Sequence, residues 1–490
     1  MKTWLKVVLA VVGALALLIA VVAWRTATFR PAGAVDLAAV RLAPAVPVDQ
    51  ARAAQHLSDA VRILTVSHQD PAENQWAEWD RLHAWLQTTY PAAHAAMTRE
   101  ILPNRALVYT WTGSDPALAP IILMAHQDVV PVTPGTEADW KHPPFAGVIA
   151  EGAVWGRGSI DDKGSLVTIF ESLDALAASG FKPRRTVIVV SGQDEEAGGA
   201  GAQAAAALLK ARGVKAEWAL DEGLAVVTDF PGVDRPVAAI GLGEKGYATL
   251  KVVARAQGGH SSAPPEETGV ETLARAVLAI TGKPFPMKFE GPGAEMIKAV
   301  APYSGLATRV VVANAWLFEP LLIGQLSKSP ASAAALHTTI APTMLKGSPK
   351  ENVLPQDATA WINYRIAPGQ TREDVMARAR AATRGLAVEL SWERVGNDPS
   401  PVSSTRSQGW KLLAALASDG GRLPVAPGLV TAGTDSRHMT DVARDVYRFA
   451  PMRASIGEFG MIHGTNEHMS LENLKRMTDF YTRLIATAAG

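Results

Sequence analysis

Histidines and carboxylates collect where apolar runs of the sequence stop. His126 and Asp128 stand in AHQDVV, directly after the run PIILM. Two residues apart on a strand, they point to one side. A metal-bound imidazole usually donates its second N–H to a carboxylate, and Asp128 is spaced for that task. Taken alone, the pair is also what a polar strand end looks like. Asp161 and Asp162 follow in GRGSIDDKG, just ahead of a helical pattern, where a carboxylate can equally cap the helix. Glu195 and Glu196 follow the run TVIVVSGQ. Adjacent glutamates project differently, so one could ligate a metal while the other holds a water. Asp221 and Glu222 end AEWAL, and His463 lies in MIHGTNEHMS. One imidazole or carboxylate from each of these places makes a nitrogen and oxygen donor set that suits Zn²⁺. The chain contains no cysteine, which excludes thiolate metal sites, a disulfide framework and a cysteine nucleophile.

These residues need elements to position them. RALVYTWTG, PIILMAHQDVVPV, RTVIVVSGQDEE and AEWALDEG read as strands, with helical patterns through residues 161–180 and 199–213 between them. Apolar strands with helical connections predict an α/β sheet covered on both faces, which places ligands at the carboxyl ends of its strands. After Glu244 the texture changes. YATLKVVARA alternates as a half-exposed strand, and the order beyond it is β-α-β-β-α-β, the split βαβ sandwich. A Pro-containing, Ala-rich stretch interrupts it between Lys283 and Ala335. The chain then returns to α/β texture. The expectation is a catalytic domain in two pieces, residues 51–243 and 396–490, with residues 244–395 inserted between them.

Residues 7–24, VVLAVVGALALLIAVVAW, are uncharged and long enough to cross a hydrocarbon core of about 30 Å. Lys2 and Lys6 precede them, Arg25 closes them, and Trp4 and Trp24 stand where interfacial aromatics lie. They predict an uncleaved transmembrane signal anchor, a cleaved signal peptide being the alternative, with residues 25–50 as a stalk and the soluble body exported. The 490 residues carry 47 basic and 47 acidic side chains and are 48% apolar. That balance gives no global basic footprint for nucleic acid, and the composition excludes a largely disordered chain.

The segments MAHQDVVPV, WGRGSIDDKG, DEEAGG, LDEG, EKGY, GGHSSAPP, NYRIAPG, GTDSR and MIHGTNE occur in that order. With them the soluble chain, from about Leu57 to Leu484, resembles the M20 family of zinc peptidases and amidohydrolases. The likeness is greatest to the carboxypeptidase S branch and its N-acyl-amino-acid hydrolase relatives. The resemblance implies a zinc-peptidase α/β domain carrying an α+β lid and dimerisation domain of ferredoxin-like order. It implies two zinc ions bridged by Asp161, with His126 and Asp221 (or Glu222) completing one site and Glu196 and His463 the other. A cis peptide between Asp161 and Asp162 belongs to the same pattern. By the same resemblance Glu195 is the general base, and His260 stabilises an oxyanion, often across a dimer; Asp128, the partner expected for the His126 imidazole, is counted with them as catalytic. Arg365 and Arg437 occupy positions that hold a substrate carboxylate, and Asn314 is a further candidate for a substrate contact.

The resulting expectation is an anchored dizinc hydrolase that cuts an amide beside a free carboxylate, as a carboxypeptidase on short peptides. The alternatives are an N-acyl-amino-acid amidohydrolase using the same machinery and a non-catalytic anchored binding protein that keeps the fold.

Overall fold

The computed structural model describes residues 2–31, 33–36, 39–394 and 396–490. Val395, at the end of the expected inserted domain, and Ala32, Leu37 and Ala38 of the expected stalk lie outside them.

An eight-stranded mixed sheet forms the larger domain. Its strands run in the order Thr98–Ile101, Leu107–Trp111, Val187–Ser191, Ile121–Met124, Ala216–Val227, Ala443–Ala454, Val237–Glu244 and Val425–Val430. Ile121–Met124 pairs in parallel with both its neighbours, and IILM and VIVVS are buried throughout, as strands covered on both faces must be. One face packs against helices Gln50–Val61, Lys163–Ala178, Gln408–Ala417 and Leu471–Ala489; the other packs against Ala200–Ala211. Lys163–Ala178 is buried along nearly all its length, its polar residues Lys163, Thr168, Glu171 and Ser172 included. Ser407 and Ser470 start two of these helices by accepting the amides of Trp410 and Asn473.

The chain leaves this domain at Lys245. Four antiparallel strands then form a second sheet in the order Thr339–Lys346, Asp357–Ile366, Gly246–Arg255 and Val388–Trp392. Helices Gly269–Thr281 and Arg372–Ala382 cover one face of it. Each starts with a reciprocal capping box, Thr268 with Glu271 and Thr371 with Asp374. Strand and helix order are those of the split βαβ sandwich. The intervening stretch forms helices Gly291–Val300, Leu306–Ala313, Ala315–Leu326 and Pro330–Ala334. The first of them packs on strand Val425–Val430 of the large sheet, not on the small one; Met296 lies against Gly428 there.

The amino-terminal helix runs over Lys2–Thr28, beyond both ends of the expected span, and is long and apolar enough to cross a membrane. The segment between this helix and the large-sheet domain is not a free stalk. Val35, Val40, Leu42, Val46 and Val48 pack against the core of that domain. Trp410 Nε1 donates to Gly33 O at 2.9 Å, and Ala43 N donates to Thr487 Oγ1 at 2.9 Å. Alternating Val with Ala and Pro left no helical period in the sequence, yet those valines are partly buried against the large domain.

Candidate active site

His126, Asp161, Glu196, Glu222 and His463 converge beyond the carboxyl ends of the central strands. His126 follows strand Ile121–Met124; its Nε2 lies 2.9 Å from Asp161 Oδ1 and 3.6 Å from Glu222 Oε1. Its Nδ1 faces Asp128, 3.0 Å from the carbonyl and 3.2 Å from Oδ1. The second oxygen of Asp161 lies 3.2 Å from His463 Nε2, which is also 3.0 Å from Glu196 Oε1. Asp161 therefore stands between two imidazoles, one oxygen to each. The peptide joining it to Asp162 is cis. Asp162 Oδ2 accepts the His126 amide at 3.2 Å and, with His126 and Glu222, forms a second cluster of ligand atoms lying within 4.8 Å of one another.

Asp128 is fully buried and organises the neighbouring turn. Its oxygens accept the amides of Glu195 and Glu196, each at 3.1 Å, and the Ser67 hydroxyl at 2.6 Å. Those bonds hold both glutamates at the mouth of the site. Behind the turn, Asp435 is tucked against glycines. A Cβ on Gly192 would sit 2.0 Å from Asp435 Oδ2, and one on Gly199, at φ +74°, would sit 2.5 Å from Oδ1. Gly192 and Gly199 of SGQDEEAGG leave the room this carboxyl group fills.

Of the pair at residues 221 and 222, the structure turns Glu222 and not Asp221 towards His126. Asp221 Oδ2 accepts the Ser436 amide at 2.8 Å, and its Oδ1 accepts the Glu222 amide at 3.0 Å. The strand continues to Val227 instead of ending at Glu222, so neighbouring side chains fall on opposite faces and only one faces the cluster. Two variants separate the roles: Glu222→Gln is expected to lose one zinc ion per chain on dialysis, and Asp221→Asn to keep both.

Too many carboxylates share this space for the positive charge present. Burial and the charge of Asp161 push Glu222 up to about 8. Burial raises Glu196 as well, and raises Glu195 far above the usual carboxylate range with help from Asp435, Glu222 and Glu196. Burial opposes charge on His126, but bonds to Asp128, Asp161 and Glu222 win and hold it well above the ordinary imidazole range. Bonds to Asp161 and Glu196 take His463 up to about 10. Divalent cations would relieve the repulsion, and imidazole nitrogens with carboxylate oxygens are the donors zinc takes, so the residues fit two zinc ions. Metal must displace the protons held on His126, His463 and Glu222, so uptake should release protons and tighten as pH rises towards 10. Calorimetry in buffers of different ionisation heat measures that release; zero release at pH 7 would contradict this protonation pattern.

A buried ion pair ties the early and late parts of the large domain together at this point. Glu467 Oε2 lies 2.6 Å from Arg157 Nη1, with both side chains buried. Glu467 Oε1 accepts the amides of Ile160 and Asp161 at 2.9 and 3.1 Å. Arg157 Nη2 donates to the carbonyls of His463 and Gly464 at 3.1 and 2.9 Å. His463 itself is held at φ +61°, a conformation that persists only where surroundings impose it. Arg157 lies in WGRGSIDDKG and Glu467 in MIHGTNE, yet only their three-dimensional contact reveals the pairing.

The other expected residues are placed differently. Arg437 borders the Glu195–Glu196 turn, with Nη2 3.4 Å from Gly198 O. Arg365 lies at the end of strand Asp357–Ile366, over the Tyr247 ring at 4.8 Å. Among the described residues neither has a carboxylate within 4.0 Å. His260 is exposed on a two-stranded ribbon with residues 353–354, its Nδ1 2.8 Å from Ser262 Oγ, and none of its contacts is with the cluster. Asn314 is not at the site. It is buried between two helices of the insertion, and its Nδ2 donates to Thr26 Oγ1 of the amino-terminal helix at 3.0 Å.

The sequence pattern of the peptidase family M20/M25/M40 matches residues 122–487. A probable carboxypeptidase S-like protein of Dictyostelium discoideum is 35% identical over 441 residues, 88% of this chain and 84% of its own. An N-fatty-acyl-amino acid synthase/hydrolase of Xenopus tropicalis is 37% identical over 438 residues, with the same two shares. Among solved structures, an M20 family metallo-carboxypeptidase from Sulfolobus solfataricus superposes with a TM-score of 0.68 at 16% identity, covering 89% of this chain and 99% of that one. On this match, which takes in every residue of the cluster, the chain belongs to the peptidase family M20/M25/M40.

Proposed function

We propose that this M20 metallohydrolase cleaves an amide bond next to a free carboxylate, as a carboxypeptidase on short peptides, from a body held at a membrane by its amino-terminal helix. The observation that carries the reading is Glu195, fixed by its backbone beside an Asp161-bridged His and carboxylate cluster but unbonded at its own carboxylate. His126, Asp161 and Glu222 would hold one zinc ion, and Asp161, Glu196 and His463 the other. Zinc bound there supplies Lewis acidity to the scissile carbonyl and to water.

The chain's own groups do the rest. Glu195 takes a proton as water oxygen bonds to the carbonyl carbon. It then gives that proton to the leaving nitrogen as the C–N bond breaks, which returns it to the carboxylate form. Arg437 and Arg365, free of internal ion pairs, receive the substrate carboxylate. His260 reaches an oxyanion only from a second copy of the chain, through a dimer of the inserted domains. Lys2 and Lys6 place the amino end inside and the catalytic body outside.

The second reading, an N-acyl-amino-acid amidohydrolase, is favoured by one observation: the insertion presents an apolar surface to solvent at Leu306, Trp316 and Leu321. Assays of the zinc-loaded full chain separate the readings. A blocked dipeptide ending in leucine, its carboxamide and an N-acyl-leucine are the three substrates. The free acid should be cleaved and the carboxamide should not. Loss of either arginine should raise KM about 30-fold, the worth of about 2 kcal/mol for bonds to a charged group. Equal cleavage of acid and carboxamide would contradict carboxylate recognition. Faster cleavage of the acyl-leucine would select the second reading.

A further inference from the structure

Helix Ala315–Leu326, AWLFEPLLIGQL, is apolar all round but has only Leu322 buried. A helix of that kind belongs either in a protein core or in lipid. Its one charged residue, Glu319, is turned inward, where Oε1 accepts the Phe289 amide at 3.1 Å. Helix Leu306–Ala313 meets it at a bend of 119°. Leu306, Trp316, Leu317 and Leu321 are exposed on this pair, from 38% for Leu317 to 74% for Leu306.

The position of this surface decides what covers it. Asn314, at the bend, is fully buried and donates to Thr26 Oγ1 and to Val22 O at 3.0 and 3.3 Å. Phe29 packs into the core of the insertion. The bend is thus fastened to the last two turns of the amino-terminal helix, level with the exposed Trp24 and beside Arg25. Trp and Arg at the end of an apolar span mark the zone between hydrocarbon and water. The apolar helices are therefore continuous with the surface that a bilayer already contacts.

We propose that residues 306–326 are a second lipid contact, lying in the interfacial zone of the bilayer with Leu306, Trp316, Leu317 and Leu321 inserted. This rests on the reading that Lys2–Thr28 spans that bilayer. Fixing a helix pair in the interface fixes how the soluble body stands on the membrane. The same insertion supplies the Ala334 and His337 carbonyls that hold Lys245 Nζ, at 2.8 and 2.7 Å, where the chain crosses into the small domain. Lipid contact thereby reaches the attachment of the lid.

The chain has no cysteine, so single-cysteine variants report one position each. Leu317→Cys, Leu321→Cys, Val12→Cys and Ile101→Cys, the last exposed on the edge strand of the large sheet, are labelled with an environment-sensitive dye. The full chain is placed in phosphatidylcholine vesicles. Probes at 317 and 321 should shift to the blue, be quenched by nitroxides on the lipid chains and lose quenching by iodide, as the probe at 12 does. The probe at 101 should stay aqueous. Aqueous behaviour at both 317 and 321, with lipid behaviour at 12, overturns the proposal while sparing the anchor. Aqueous behaviour at 12 overturns both. Shielding from iodide without lipid quenching shows that protein covers the face, and also overturns it.

Discussion

Glu195→Gln is expected to lower kcat about 10²–10⁴-fold with both zinc ions still bound and KM little changed. Gln keeps the volume and one acceptor oxygen but cannot carry a proton between water and nitrogen. The turn itself does not depend on the Glu195 side chain. Asp128 grips the backbone amides of Glu195 and Glu196, and Asp194 grips those of Ala200 and Gly201 at 3.1 and 2.8 Å. A fall in kcat without a change in metal content therefore isolates proton transfer from architecture. Metal analysis beside steady-state kinetics makes the check. Hydrolysis at the normal rate would remove Glu195 from the mechanism, and loss of zinc would assign it as a ligand.

The second large effect lies outside the cluster. Glu467→Ala leaves the Arg157 guanidinium buried without its counter-charge and strips the Ile160 and Asp161 amides of their acceptor. Breaking one side of a buried pair costs about 3–5 kcal/mol. Denaturant unfolding of the metal-free protein should show a loss of that size. Zinc should also bind more weakly, because Asp161 and the His463 loop lose the brace they share. Glu467→Gln restores an acceptor of the same shape but not the charge, and should fall between alanine and the parent. Unchanged stability in the alanine variant would show that water reaches Arg157 and satisfies it.

Much of the site was legible because its chemistry sits at predictable places. Apolar runs such as PIILM and TVIVVS become central strands, and polar residues directly after them emerge at the carboxyl end of the sheet. Residue type and place bring out His126 with Asp128 and the pairs Asp161–Asp162, Glu195–Glu196 and Asp221–Glu222; the role of each member, and His463, rest on the resemblance to the M20 family. The illegible part depends on contacts distant in sequence. The choice between Asp221 and Glu222 is made by sheet pairing, in which Asp221 stands opposite Arg448 just before a shift of register, and by the Ser436 amide. Arg157 and Glu467 are 310 residues apart. Asn314 lies in VVVANAWLF, which reads as core; its partner Thr26 is 288 residues away on a helix expected to stand alone. Residues 40–49 of the expected stalk form neither helix nor strand, so their partial burial leaves no periodic signal.

Zinc content against activity tests the account most directly. The full chain is stripped by chelation and titrated with zinc while hydrolysis of a blocked, leucine-terminated dipeptide or an N-acyl-leucine is followed. The account predicts that chelation abolishes hydrolysis and that activity returns in full only at two zinc ions per chain, one on each side of Asp161, whose oxygens face His126 and His463. Hydrolysis that survives complete removal of metal, or that is maximal with a single ion bound, would contradict it.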